Sequence, residues 1–599
     1  MVADKDLQSI QEVRTKVAAA HEAFLQFRKH TQEEVDRILD QAAAVARANA
    51  ESLAKLAVEE TGYGNVRDKT IKNLLNSDLL HRAIRPMKTV GVIDEDPDKG
   101  ILEIAEPAGV VAAILPTTNP TSTAFFKILI ALKSKNAIVV SPHPRAVNCT
   151  CESARLLAEA AEAAGAPKGV VQCLTKATIQ GTNELLKHRL TSLILSTGGP
   201  GIVRAAYSSG KPALGVGPGN VAVLLDDTAD VDEAIGSVID GKSFDYGTVC
   251  SSEQCVISEE KNRDAVWSAL RKHGAHVCDE RQTSELAALL ITKDFRVNPE
   301  CVGQSPQRIA EMAGFRVGED IRALVVELRG VGREHPLSAE KLSPVLSVHF
   351  AENFAGALKA SAEIVNFGGR GHTCVIYSKS DERIREFGLA MPAFRILVNT
   401  AAPQGSTGIT TNVLPSMTLG CGAIAGNITG DNIGPMHLIN IKRVAYKVRE
   451  VEAAFESDEA KSFFAGKTVA SAATSPDRPK VAAAVDQYLQ QRGVAAASGA
   501  VTATASVNTG PAAQVVDRFL NGPRATTPSP VPTAAQPKPV NRPVPKPIAS
   551  EVDIVPFVSE DDVRRAKVLQ TKIYINRKTI VTPAARDLDY DGQVMVRTE

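Results

Sequence analysis

The sequence predicts an α/β fold of parallel sheets wrapped by helices, and two observations predict it. Short apolar runs that read as buried strands recur at Val110–Leu115, Ala137–Val140, Val170–Leu174, Leu193–Leu195 and Val221–Leu225, with Pro and Gly punctuating the joins. Segments of helical length, Ser122–Lys133 and Val147–Ala164, alternate with the first of them. Strands apolar on both faces, alternating with helices, are the pattern of a doubly covered parallel sheet, the usual platform for a dinucleotide.

Before this region, residues 5–62 read as helices. Thr31 and Glu34 stand at capping-box spacing, and Val35, Ile38, Leu39 and Ala42 then repeat at helical period until Gly62 and Gly64 close the section. The helices and the dinucleotide-binding domain together take residues 1–240, and a second α/β unit, the catalytic one, runs over 241–430. Over 431–466 the pattern alternates again (Leu438, Ile439, Ile441), as in an edge or interface strand. Residues 467–550 are rich in Ala, Thr, Ser, Pro and Val and read as an extended linker, interrupted by amphipathic pieces at Val481–Arg492 and Ala512–Leu520. The tail, 551–599, regains order signals: Ser559–Asp562 caps a helix and Lys572–Ile575 alternates like a strand.

Bulk properties narrow the function. A chain of 599 residues is too long for one core, and its 44% hydrophobic content is that of globular proteins. Zero net charge points to neither nucleic acid nor an anionic membrane as a partner. No apolar run approaches transmembrane length, and the N-terminus lacks the order of a signal peptide. Nine scattered cysteines fit free thiols in a reducing cytosol, and the lack of Cys-x-x-Cys or His-Glu-x-x-His gives no sign of a metal.

The chemistry concentrates in Phe244-Asp245-Tyr246-Gly247-Thr248-Val249-Cys250-Ser251-Ser252-Glu253-Gln254. Gly247 permits a sharp turn that presents the Cys250 sulfur, and a thiolate is the strongest side-chain nucleophile near neutral pH. Taken alone, Cys250 reads as a small buried hydrophobe. Asn119 ends a strand and precedes a helix, placed either as an oxyanion donor or as an ordinary turn residue before Pro120. Thr197-Gly198-Gly199-Pro200-Gly201 opens a helix after a strand, where glycines let backbone amides approach a pyrophosphate.

The cysteine segment resembles the nucleophile segment of the acylating, coenzyme A-dependent aldehyde dehydrogenases and of the aldehyde half of bifunctional aldehyde–alcohol dehydrogenases. The resemblance covers about residues 10–450, with its motifs in family order. It implies an aldehyde dehydrogenase fold: a Rossmann-like cofactor domain, a catalytic α/β domain and an oligomerisation strand, followed here by a largely disordered C-terminal extension. It casts Cys250 as nucleophile, Asn119 as oxyanion donor, and Thr197, Gly198 and Gly199 as the cofactor turn. Ser141-Pro142-His143 resembles the segment that meets the adenosine ribose; many members carry Lys in place of Ser141, which leaves NAD and NADP both open. Glu340, in Glu340-Lys341-Leu342-Ser343-Pro344-Val345, matches the residue that holds the nicotinamide ribose, with Ser343 replacing the usual Gly. In Gly215-Val216-Gly217-Pro218-Gly219, Gly217 is assigned to the cofactor. Gly215 stands where hydrolytic relatives carry the Glu that activates water, so the acyl-enzyme should wait for a better nucleophile. Gly369-Arg370-Gly371-His372-Thr373 resembles a segment of the acylating branch, and His372 tunes the site electrostatically, orients coenzyme A or is structural.

The reaction implied joins a short aldehyde (propionaldehyde, acetaldehyde or lactaldehyde), NAD(P)⁺ and coenzyme A to give acyl-coenzyme A, in a homo-oligomer, dimer or tetramer. The tail segments Ser559–Arg564 and Thr579–Leu588 resemble a C-terminal extension of enzymes packaged in bacterial microcompartments. That implies shell or cargo partners and a place in the bacterial cytoplasm inside such a compartment. The alternatives are a non-acylating aldehyde dehydrogenase and a catalytically minor scaffold.

Overall fold

A computed structural model describes residues 4–466 and most of 555–597. It divides into two compact units, Met1–Ala470 and Ser471–Glu599. The first unit contains two parallel sheets and a small antiparallel one.

The first parallel sheet has five strands in the order Val171–Cys173, Ala137–Ser141, Val110–Ile114, Thr191–Thr197, Ala213–Val216. Counted along the chain this is 3-2-1-4-5, so the connections reverse direction beside Val110–Ile114 and open a crevice at the strand C-termini. The Pro116–Asn119 and Thr197–Gly199 segments leave the two strands that flank this switch point. Helices Pro120–Lys133 and Val147–Ala163 follow their strands as the apolar texture predicts. Among the N-terminal helices, Gln32–Ala48 carries the complete Thr31/Glu34 capping box and buries Val35, Ile38, Leu39 and Ala42 against this core.

The second parallel sheet has seven strands: Ala275–Val277, Ala323–Glu327, Val345–Ala351, Glu253–Glu259, Val221–Leu225, Gly371–Tyr377, Ala393–Val398. Val221–Leu225 therefore belongs with the catalytic sheet, pairing with Glu253–Glu259 on one side and Gly371–Tyr377 on the other. The chain changes sheets between strands Ala213–Val216 and Val221–Leu225, some twenty residues before the boundary at 240 that the sequence suggests. Strand texture records burial on both faces but not which sheet supplies the partners. Ile439–Ala445 pairs antiparallel with Ile101–Pro107 and forms an edge of the three-stranded sheet.

One helical stretch escapes the sequence reading. Val66–Leu74, a π-helical segment Leu75–Leu80 and His81–Ile84 follow Gly64, where the sequence suggests the helices end. The buried face of Val66–Leu74 is Asp68, Lys69, Lys72 and Asn73, so no apolar period announces it.

In the second unit, Glu560–Leu569 is capped by Ser559, whose backbone amide donates to Asp562 while its hydroxyl accepts from the Asp562 amide. Two parallel strand pairs join it: Phe557–Val558 with Ile580–Val581 and Ile573–Ile575 with Met595–Arg597. Val558, Val563, Ala566, Ile575, Ala585 and Val594 make a core of their own. The extension is thus ordered in this part, because alternating apolar residues on both sides of the capped helix converge. The linker 467–550 and its two amphipathic pieces lie outside the described residues.

Candidate active site

The cysteine segment begins with a left-handed turn. Asp245, Tyr246 and Gly247 have φ of 46°, 52° and 72°, a conformation that costs non-glycine residues energy and persists only when the surroundings enforce it. Here the buried Asp245 carboxylate is the enforcing group. It accepts from the Asn65 amide at 2.9 Å, Lys69 Nζ at 3.0 Å and Thr248 Oγ1 at 2.6 Å, and also from Lys72 Nζ. Its own amide donates to Asp68 Oδ2 at 2.8 Å. Burial raises the Asp245 pKa, but Lys69 and Lys72 outweigh it and hold the carboxyl below its ordinary value. Gly247 has no room for a side chain, since a Cβ there would meet the Ser343 carbonyl oxygen at 2.7 Å.

The turn delivers Cys250 to His372, with Sγ 3.2 Å from Nε2. His372 Nδ1 lies 2.9 Å from Thr373 Oγ1, and Arg395 donates to the His372 carbonyl at 2.6 Å. Arg395 is itself buried and donates to Asn432 Oδ1 and to the Gly420 and Gly430 carbonyls. Burial pushes the Cys250 thiol up to about 12, with Glu340 and Cys421 adding and Arg395 opposing. Burial, then Arg395, push His372 down to about 3. The resting pair is therefore a neutral thiol facing a neutral imidazole. Gly219 allows the approach: a Cβ there would lie 2.1 Å from the Cys250 carbonyl oxygen and 3.1 Å from the His372 ring.

Asn119 is held against the same loop. Its Nδ2 donates to Thr118 Oγ1 at 3.1 Å and to the Thr248 carbonyl at 3.3 Å, and its Oδ1 accepts from Lys72 Nζ. Burial brings Lys72 down to about 8, against the pull of Asp245. Neither lysine was legible in the sequence as part of the site; the only available signal was a helix whose polar residues recur at buried spacing.

Of the remaining sequence-predicted residues, Glu340 joins this cluster through Oε1, which accepts from the Gly219 amide at 3.1 Å; burial raises its carboxyl to about 8. Ser141, Pro142, Thr197, Gly198 and Gly199 lie instead at the C-terminal edge of the five-stranded sheet. Ser141 is buried, its Oγ 3.5 Å from Thr182 Oγ1, while His143 is exposed and its Nδ1 accepts from the Arg145 amide. A cavity of about 450 Å³ is lined by Gly217 with Arg204, Tyr207, Arg370 and Cys421. A dinucleotide fits these residues: Gly199 caps helix Pro200–Tyr207, a Cβ on it would meet nothing within 4 Å, and Glu340 waits beside Cys250's loop.

Residues 2–410 match the aldehyde dehydrogenase family. The chain belongs to the aldehyde dehydrogenase family. A curated relative, the bifunctional aldehyde-alcohol dehydrogenase AdhE of Escherichia coli, is 44% identical over 451 residues, which cover 74% of this chain and 50% of the relative. The chain thus spans about half the length of that relative. An acetylating aldehyde dehydrogenase from Geobacillus thermoglucosidasius is 48% identical, with a TM-score of 0.74 over 75% of this chain and 99% of its own. A propionaldehyde dehydrogenase from the fucose utilisation microcompartment of Clostridium phytofermentans is 28% identical, with a TM-score of 0.66 over 73% of this chain and 98% of its own.

Position 215 is tight for a side chain. The Gly215 amide donates to Tyr207 Oη at 2.9 Å, which donates back to the Gly215 carbonyl at 3.2 Å. A Cβ on Gly215 would meet Val203 at 2.9 Å and the Tyr207 ring at 3.0 Å.

Proposed function

We propose that this protein oxidises a short-chain aldehyde to an acyl-coenzyme A with NAD⁺ or NADP⁺, through a thioester on Cys250. The observation that carries the reading is the Cys250–His372 contact, with the Asn119 amide fastened to the same loop. Cys250 Sγ bonds to the aldehyde carbon as its proton passes to His372 Nε2. The carbonyl oxygen takes the negative charge and is held by the Cys250 amide and by Asn119 Nδ2, which exchanges its 3.3 Å hydrogen bond to the Thr248 carbonyl for it. The dinucleotide, when bound, supplies the hydride acceptor. Glu340 orients its nicotinamide ribose, Thr197, Gly198 and Gly199 receive the pyrophosphate, Ser141, Pro142 and His143 meet the adenosine ribose, and Gly217 borders it. Because position 215 carries no base and Tyr207 fills its surroundings, water is a poor acceptor and the coenzyme A thiol takes the acyl group. His372, which holds a proton weakly, passes the cysteine's proton to solvent; when the coenzyme A thiol attacks the thioester carbon, His372 Nε2 takes that thiol's proton and returns it to Cys250 Sγ as the bond from carbon to Sγ breaks.

The aldehyde is proposed to be propionaldehyde, acetaldehyde or lactaldehyde. The exposed edge strand Ile439–Ala445 is the proposed contact of a homo-oligomer, and the second unit is the proposed link to microcompartment shell or cargo in a bacterial cytoplasm. Among the described residues no helix is long and apolar enough to cross a membrane. NADH formation with and without coenzyme A tests the central claim. Without it, NADH should burst to about one equivalent and stall while the acyl-enzyme accumulates. A sustained rate equal to that with coenzyme A would instead establish ordinary aldehyde oxidation.

A further inference from the structure

Cys151 and Cys173 lie away from the cysteine loop, and their sulfurs are 3.0 Å apart. Cys151 sits in the second turn of helix Val147–Ala163, and Cys173 ends strand Val171–Cys173 at the edge of the five-stranded sheet. Both are partly exposed, whereas Cys149, one residue removed from Cys151, is buried and accounted for by packing. The pair is held from several directions. Cys151 Sγ also approaches the Leu174 carbonyl at 3.4 Å, and Lys16 Nζ donates to the Cys173 carbonyl while pairing with Glu12 at 3.2 Å. The hydrogen bond from Cys173 lowers the Cys151 pKa against burial, with Lys16 assisting. Burial and the same bond keep Cys173 protonated. One thiol is thus the better nucleophile and the other its ready resolving partner.

We propose that Cys151 and Cys173 form a reversible disulfide, a thiol-modification site separate from the catalytic cysteine. A disulfide needs sulfurs about 2.05 Å apart, so closure asks for a movement of about 1 Å, within reach of side-chain rotation on a partly exposed helix face. The oxidant is a low-molecular-weight disulfide of the glutathione type. Cys151 thiolate attacks one of its sulfurs, breaking that S–S bond and expelling one thiolate. Cys173 then loses its proton to solvent and attacks Cys151 Sγ, expelling the second thiolate and leaving the internal bond. Two protein thiols are oxidised and one small disulfide is reduced to two thiols.

The location gives the bond a consequence. Cys173 pairs in register with Val140, the residue before Ser141, and Cys151 lies in the helix that follows Ser141-Pro142-His143. The cross-link would tie the helix that follows this segment to the strand that pairs with the one before it. The importance of that for cofactor binding rests on the function proposed above; formation of the bond does not.

The test uses the full chain carrying Cys250→Ala, so that the catalytic thiol takes no part. The protein is equilibrated over a series of glutathione redox ratios, free thiols are alkylated, and peptides are mapped by mass spectrometry. A cross-linked Cys151–Cys173 peptide should build up as the ratio becomes more oxidising, with the loss of two titratable thiols, and should vanish on addition of dithiothreitol. Cys151→Ser and Cys173→Ser should each trap a glutathione mixed disulfide on the remaining cysteine or leave it free, with no internal bond. Recovery of both residues alkylated at oxidising ratios, or both carrying glutathione, would overturn the proposal. So would the same loss of two thiols in either serine variant.

Discussion

At rest Cys250, the proposed nucleophile, is a weak one, with its thiol pushed up to about 12 by burial and the imidazole it touches pushed down to about 3. Reactivity must then come from stabilising the oxygen that becomes charged, which places the weight on Asn119. Asn119→Ala should lower turnover on the order of 10²-fold, as loss of one oxyanion donor does, with dinucleotide binding unchanged by fluorescence titration. An unaltered rate would remove Asn119 from the site. Lys72 acts through Asn119 and is a positioning residue. Its ammonium fixes the amide oxygen, so one amide hydrogen points to the Thr248 carbonyl of the cysteine loop and the other to Thr118 Oγ1. With a pKa near 8, it is charged below that value and loses its proton as pH rises through it. The kcat profile of the wild type should therefore bend downward above about pH 8, even though alkaline conditions favour thiolate. Lys72→Met should cost on the order of 10-fold and abolish that bend, because the titrating donor is gone. A profile with the bend intact in the variant would assign it to another group.

At the scale of elements, each sheet has a separate task. The five-stranded sheet presents Asn119 and the Thr197–Gly199 turn on adjacent strand ends; the seven-stranded sheet follows Cys250 with Glu253–Glu259 and places His372 on Gly371–Tyr377. Helix Val66–Leu74 joins the two, since its lysines reach both Asp245 and the Thr118–Asn119 segment. Strand Ile439–Ala445 exposes apolar residues along a free hydrogen-bonding edge: Ile441 is 36% exposed and Val444 39%. Ile441→Lys with Val444→Lys should shift the protein toward monomer by light scattering, while its far-UV circular dichroism stays the same. Persistence of the wild-type mass would move the interface elsewhere.

For the whole molecule, every residue assigned to the chemistry falls within Met1–Ala470. The linker that the sequence suggests over 467–550 lies outside the described residues, and no residue assigned to the chemistry lies beyond it. A chain ending at residue 466 should stay folded and keep full activity on a short aldehyde, by steady-state assay against the full chain. Residues 505–599 fused to a fluorescent protein should carry that reporter to co-expressed shell proteins. Loss of activity in the truncated chain together with a diffuse reporter would place the tail in the catalytic unit and end the compartment reading.

Five buried strands from Val110 to Leu225, the capping box, the cysteine turn and the family were legible without the structure, because each is written in short-range terms: apolar period, helix-capping chemistry, and glycine at a sharp turn. Long-range pairing sets which sheet claims Val221–Leu225, and it gathers Lys69, Lys72, Asp245 and Asn119 into one buried network. Charged residues at helical spacing read as a solvated face. They become a core only when oppositely charged and carbonyl partners arrive from segments about fifty and more than one hundred and seventy residues away, as Thr118 and Asp245 do for Lys69. The same holds for Arg395, a lone cation in the text of a strand, which folding surrounds with the carbonyls of His372, Gly420 and Gly430. Local pattern records how much of a residue is buried in apolar surroundings. Which polar groups share a buried site is settled by long-range pairing, and that has no local signature.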